Sequence, residues 1–220
     1  MQLVLISGLS GSGKSIALNI LEDSGYYCVD NLPAPLLGNL MRYLRDEGYG
    51  RVGVAIDVRS GDSVRMLPGQ ISELRDDGVD TRLVYLEANT ETLVKRYSET
   101  RRRHPLTSGD RTLTEAILRE REELSDIGGM AQRIDTSALQ PNALRAWIKD
   151  LLEVDRSRIT LLFESFAFKS GLPLDADLVF DVRCLANPHY DPELRPLTGR
   201  DAPVIRFLDR EADAGRMLGD

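Results

Sequence analysis

The chain alternates between short apolar runs and longer stretches in which apolar residues recur every three or four positions. Residues 1–7 (MQLVLIS), 26–29, 52–56, 81–87 (TRLVYLE) and 132–135 are the short runs. Near-continuous apolarity over four to seven residues predicts strands covered on both faces, as in a parallel sheet. Between them lie helical stripes. Ile16, Ile20 and Leu21 mark a helix over 16–24, and Leu36, Leu40, Met41 and Leu44 mark one over 33–47. Val64, Leu67, Ile71 and Leu74 mark a third over 60–76, in which Pro68 must kink the helix or start a new one. Asn89 and Thr90 cap a fourth, a charged fifth spans 113–127 before Gly128 and Gly129, and Pro141 opens a sixth with Leu144, Trp147, Ile148, Leu151 and Leu152 inward. This alternation over residues 1–153 predicts a three-layer α/β domain with a parallel sheet and right-handed crossovers.

The rhythm changes after residue 153. Residues 159–163 (ITLLF) and 178–183 (LVFDVR) read as two strands, residues 184–201 as a proline-containing loop, and 208–218 as a helix. Residues 154–220 are therefore expected to start a second α/β domain, with too few elements to close a core. Apolar surface left bare on it predicts a homo-oligomer.

Composition narrows the function classes. The 220 residues carry a formal net charge of -7, so bulk attraction to nucleic acid is excluded and any RNA contact needs a local basic patch. Cys28 and Cys184 are far apart, outside any metal-ligand spacing, and read as small apolar residues. The N-terminal run has no basic flank and feeds straight into a glycine-rich loop, unlike a secretion signal, and no apolar stretch is long enough to span a bilayer. A cytoplasmic protein is expected.

The glycine-rich loop carries the first chemistry. Gly8, Leu9, Ser10, Gly11, Ser12, Gly13, Lys14 and Ser15 fit G-x-x-x-x-G-K-[ST], between a strand and a helix as that pattern requires. Glycines let backbone N–H groups wrap a polyphosphate, and the helix start adds its own N–H groups and dipole. Lys14 is then placed for the β- and γ-phosphates and Ser15 for Mg²⁺. Asp57, at the carboxyl end of the 52–56 strand, reads as a second Mg²⁺ ligand. Asp30 ends the second strand, where ligands bind in open α/β sheets, or else caps the helix after Pro33. Lys95, Arg96, Arg101, Arg102, Arg103 and His104 form a basic run before a loop. With Arg119 and Arg121 on the next helix it reads as a lid closing over phosphates, with a solvated face or an RNA patch as the alternatives. His104 beside Pro105 reads as incidental, Trp147 as core, and Thr136 and Ser137 as neighbours of a nucleotide base.

Taken together, GLSGSGKS, YYCVDNLP, DVRS, YSETRRRHPL, FESFAFKSGLPLDADLVFDVR and NPHYDPELRPLTG resemble the RapZ/YvcJ family of nucleotide-binding proteins over nearly the whole chain. The resemblance implies a P-loop kinase-like domain that binds and slowly hydrolyses ATP and GTP. It assigns ATP to Gly8–Ser15 and GTP to Asp57, Val58, Arg59 and Ser60. It further implies a C-terminal domain that, in enterobacterial members, binds small regulatory RNA, presents it to RNase E and senses glucosamine-6-phosphate, with His189 at a position matched to that sugar-phosphate pocket. The family pattern continues past Asp220 through a glycine-rich segment and a basic tail.

Three readings follow. The first is a regulatory nucleotide-binding protein with weak ATPase and GTPase activity, using Lys14, Asp57 and the lid arginines Arg101, Arg102 and Arg103. The second is a small-molecule kinase whose acceptor hydroxyl is positioned by a carboxylate such as Asp30. The third is a non-enzymatic RNA adapter that uses the nucleotide site as a switch.

Overall fold

The computed structural model describes residues 1–100, 102–107, 111–153, 163, 165, 166, 168, 171–174 and 176–219. Two compact units divide the chain, Met1–Asp175 and Ala176–Asp220.

Five parallel strands form the sheet of the first unit: β1 (Gln2–Gly8), β2 (Tyr27–Val29), β3 (Arg51–Ala55), β4 (Asp80–Glu87) and β5 (Gln132–Asp135), in the order β2-β3-β1-β4-β5. Leu3 pairs with Val52 on one side and Thr81 on the other, so the N-terminal strand is the centre of the sheet. The helices are α1 (Lys14–Asp23), α2 (Leu37–Asp46), α3 (Leu67–Asp76), α4 (Thr90–Thr100), α5 (Leu113–Glu123), α6 (Ser125–Met130) and α7 (Pro141–Glu153).

Strand alternation sorts the core into two layers. Leu3, Leu5, Val52, Val54, Leu83 and Tyr85 face the side covered by α2, α3 and α6, through residues such as Met41, Leu44, Ile71 and Ile127. Val4, Ile6, Ala55, Val84, Leu86 and Ile134 face the other side, covered by α1 and α7. Each fully buried Leu or Ile here contributes about 1.5–3 kcal/mol. Trp147 packs against this second layer, as core residues do. Cys28 is half-buried there, its thiol pKa pushed up to about 11 by burial, and it donates to the Leu18 carbonyl at 3.5 Å.

Several elements differ from the pattern-based reading. The helix expected over 60–76 is 3-10 backbone over Val58–Met66, broken at Gly61 by a φ of 60°, followed by α3. Pro68 sits in the first turn of α3, where its missing N–H has no intrahelical partner to lose, so it starts a helix and does not kink one. The 113–127 helix divides into α5 and α6, and α6 runs through Gly128 and Gly129. Gly128 is the closer fit, since a Cβ there would meet the Tyr85 ring at 3.6 Å.

In the second unit, among the described residues, the sequence Leu178–Arg183 forms no strand. Leu178 and Phe180 are 77% and 69% exposed, and Val182–Cys184 is a 3-10 turn. Of the other expected strand, 159–163, only Phe163 lies within the described residues. Cys184 is exposed, which corrects its reading as an apolar core residue. The single helix expected over 208–218 is two, α8 (Ala202–Asp209) and α9 (Ala212–Gly219), separated at Arg210 and Glu211.

Candidate functional site

β1 ends in the sheet's centre, and the chain leaves it through the glycine-rich loop at the carboxyl end, where open parallel sheets place ligands. Gly8 has φ +131°, and a Cβ on it would lie 2.0 Å from the Leu86 carbonyl oxygen, so the loop can leave the sheet only through glycine. The Leu9 N–H donates to that same carbonyl at 3.0 Å, and the Leu9 side chain is buried with Ala88, Leu93 and Ile117. Gly13, at φ +107°, precedes α1 with no side chain capping the helix. The first-turn N–H groups of α1 are thereby left for an anion.

Lys14 is buried. Its Nζ donates to the Gly8 carbonyl at 2.7 Å and lies 3.8 Å from Asp57 Oδ2. Burial holds its pKa below the usual lysine value, although the Glu120 and Asp57 charges pull the other way. A buried, desolvated ammonium of this kind gains most when an anion arrives beside it. Asp57 follows β3 and is buried, yet its carboxyl is held below the ordinary range. Burial raises it, and the Arg59 hydrogen bonds together with the Lys14 charge outweigh that. Arg59 grips both oxygens, Nε at 3.1 Å from each and Nη2 at 2.7 Å from Oδ2. Ser15 is exposed at the start of α1. A hydroxyl and an ionised carboxylate are hard oxygen donors of the kind Mg²⁺ accepts alongside phosphate oxygens and water, so the residues fit the ion. Among the described residues no cluster of three His, Cys, Asp or Glu side chains forms a protein-only metal cage.

Two clefts meet over the loop and share Gly11, Gly13, Ile16, Arg96 and Glu99. The larger, about 580 Å³, is walled by residues 136–140 after β5, together with Leu144 and Lys95. Thr136 and Ser137, read from the sequence as neighbours of a base, line this cleft. Arg96 joins this wall to the loop: it donates to the Gly11 carbonyl at 3.1 Å and to the Thr136 carbonyl at 2.6 Å. The smaller cleft, about 390 Å³, contains Lys14, Ser15, Asp57, Arg59, Tyr97, Arg102 and Arg103. Two of the three expected lid arginines, Arg102 and Arg103, line the cleft that also contains Lys14 and Ser15; Arg101 lies outside the described residues. Arg119 and Arg121 do not join them. Arg119 pairs with Glu123 on the surface at 2.7 Å, and Arg121 donates to the Ala88 carbonyl at 2.9 Å, tying α5 to the end of β4.

The structure also assembles a group that the sequence reading passed over. Glu120 on α5 is fully buried and accepts from the Ser10 N–H at 2.9 Å, the Ser10 hydroxyl at 2.7 Å and His104 Nε2 at 3.0 Å. His104 is 2% exposed and is no incidental residue. Asp30 is exposed at the end of β2, and its charge reaches both Lys14 and Arg59. It does not cap the following turn, whose cap position, Pro33, has no side-chain bond. Val58 is buried and Ser60 donates to the Leu32 carbonyl at 3.2 Å, so of residues 57–60 only Asp57 and Arg59 reach the cleft. In the second unit, His189 is exposed, and its main chain is held by Asn187 Oδ1 at 2.9 Å and by Arg195 Nε at 3.1 Å. No helix among the described residues is long and apolar enough to cross a membrane.

The parallel sheet and the loop geometry define a nucleotide-binding protein of P-loop kinase-like fold. A structure of the tunicamycin resistance protein of Deinococcus radiodurans matches 70% of this chain and 96% of its own, with a TM-score of 0.50 at 18% identity, a likeness of fold alone. The chain belongs to the RapZ family: residues 1–156 match the RapZ-like N-terminal domain and residues 159–220 the RapZ C-terminal domain. A nucleotide-binding protein of Thiobacillus denitrificans is 63% identical over all of this chain and 79% of its own length. Another, from Aromatoleum aromaticum, is 60% identical over all of this chain and 76% of its length.

Proposed function

We propose that this protein binds ATP or GTP with Mg²⁺ at a single site and hydrolyses it slowly, as a regulatory state marker. The observation that carries the reading is the 3.8 Å approach of Lys14 Nζ to Asp57. Lys14 and Ser15 of the segment 8–15 and Asp57 and Arg59 of the segment 57–60 line one cleft. The two segments expected to serve two nucleotides then serve one, and ATP and GTP exclude each other.

The arrangement assigns roles. The loop N–H groups and Lys14 hold the β- and γ-phosphates, Arg102 and Arg103 meet the terminal phosphate, and the wall after β5 takes the base and sugar. Ser15 and Asp57 would hold Mg²⁺, which when bound neutralises phosphate charge. Slow hydrolysis is carried over from the family resemblance; in this arrangement Asp57 is given to Arg59 and to Mg²⁺, not to activating water. The second unit is the proposed seat of the adapter role, with small regulatory RNA, RNase E and, near His189, glucosamine-6-phosphate as partners, and self-association through its exposed apolar residues. A kinase reading is favoured by one observation, the room beside Arg59, Tyr97 and Arg103 beyond the loop; an acceptor that accelerates phosphate release from ATP would establish it.

Lys14→Met is the direct test of the nucleotide reading. It keeps the apolar stem and removes the ammonium. Titration of Mg²⁺-ATP into the variant should show at least about a 100-fold weaker affinity, as expected when charge-assisted bonds to phosphate are lost. Undiminished ATP affinity would remove the P-loop from the account.

A further inference from the structure

Glu120 and His104, buried against the P-loop residue Ser10, have no role in the nucleotide reading. We propose that Glu120 and His104 are positioning residues that hold the lid arginines Arg102 and Arg103 over the terminal-phosphate end of the cleft, using the P-loop residue Ser10 as their anchor. The proposal rests on the nucleotide reading above.

The bonding pattern is directional. The His104 Nδ1 accepts from the Leu106 N–H at 3.1 Å, so the ring proton is on Nε2 and points at Glu120 Oε2, 3.0 Å away. The Glu120 carboxylate receives the Ser10 N–H and the Ser10 hydroxyl as well. One buried carboxylate therefore joins the second wall of the cleft to the loop that cradles phosphate. A carboxylate in this position is costly to bury, and it is offset here by the three donors that reach it. What the carboxylate adds is register: His104 can sit only where its Nε2–H meets Glu120. Arg102 and Arg103 immediately precede His104 and are exposed into the phosphate-end cleft, and neither lines the cleft walled by residues 136–140. Fixing His104 therefore fixes where these two guanidinium groups emerge. The Tyr97 ring, 5.3 Å from the His104 ring and beside Gly11, closes the remaining side.

Comparing ATP with ADP separates positioning from packing, because only ATP carries the terminal phosphate that the arginines meet. Titrations on the full chain with Mg²⁺ should show His104→Ala lowering ATP affinity about tenfold while ADP affinity stays within about twofold. His104→Gln, whose amide nitrogen can donate to Glu120, should restore most of the ATP preference. Glu120→Gln places a donor among donors and should weaken both nucleotides, since Ser10 belongs to the cradle itself. In an Arg102→Ala/Arg103→Ala background, His104→Ala should change the ATP-to-ADP ratio no further. Equal loss of ATP and ADP in His104→Ala, or the same drop in ratio when the arginines are already gone, would overturn the proposal. Should His104→Ala fail to fold, His104→Asn keeps the acceptor for Leu106 and gives up only the Glu120 bond, and the same ratio decides. Wild-type ATP affinity in Lys14→Met would instead strike at the nucleotide reading and leave the buried network without this role.

Discussion

The two walls of the cleft hold their shape by different means. On the P-loop side the backbone sets the shape. A Cβ on Gly8 would lie 2.0 Å from the Leu86 carbonyl oxygen, Leu9 bonds to that oxygen and drops into a small apolar cluster, and α1 begins uncapped at Gly13. On the lid side three side chains set it, with Glu120 receiving Ser10 and His104 in a buried network. A wall built from backbone sterics is stiff and tolerates almost no substitution at its hinge glycine. A wall held by side-chain hydrogen bonds keeps its register only while every partner is present, here Ser10, Glu120 and His104.

The largest expected effect lies at the stiff wall. Gly8→Ala forces the new methyl into the Leu86 carbonyl at a φ that disfavours any side chain, and strain of this kind costs about 3 kcal/mol or more. Because the clash is between the central strands β1 and β4, the melting temperature should fall by roughly 6–12 °C, given about 2–4 °C for each kcal/mol lost in a chain of this length. A Gly8→Ala chain that melts like the wild type would show that the loop can leave the sheet by another path, and the contrast between the walls would fail.

That wall was also the legible one. Gly8 to Ser15 are consecutive, and the strand before them and helix after them are local patterns, so their geometry can be read from spacing alone. Asp57 was legible for a similar reason, as the first polar residue after a buried run. The Ser10–Glu120 bond joins residues 110 apart, and no local rule pairs them. Glu120 looked like one more charge on a charged helix, and His104 like a residue stranded beside a proline. One signal was present: position 120 lies four residues after Ala116 and three after Ile117, both fully buried, so the inward stripe of α5 already pointed at a glutamate. Arg121, one position on, shared the basic run's appearance but is held by the Ala88 carbonyl, a partner that only the folded chain supplies. In the second unit the apolar run 178–180 looked like a strand because periodicity cannot report whether a partner strand is beside it.

A smaller and finer effect concerns the stability cost of keeping Lys14 ready. Its folded pKa is lowered, chiefly by burial, so the charged form is a liability in the nucleotide-free chain. The sign follows from proton counts. Between the lowered folded value and the ordinary 10.5, the unfolded chain binds more protons, so stability rises with pH across that window; below it the penalty is fully present. Lys14→Met should therefore be as stable as the wild type or more so at neutral pH. Its advantage in urea denaturation should shrink as the pH climbs toward 10.5. A variant less stable than the wild type at pH 7 would mean that the Gly8 and Asp57 contacts of Lys14 outweigh its burial, and that the stiff wall depends on a side chain after all.

The central claim is that the loop 8–15 and the segment 57–60 form one nucleotide site. Calorimetric titration of GTP into the chain already saturated with Mg²⁺-ATP tests it most directly, with the reverse order as its complement. One nucleotide per chain is expected, with GTP heat that diminishes as ATP rises, following simple competition. Two nucleotides bound per chain, with GTP binding unchanged under saturating ATP, would contradict it.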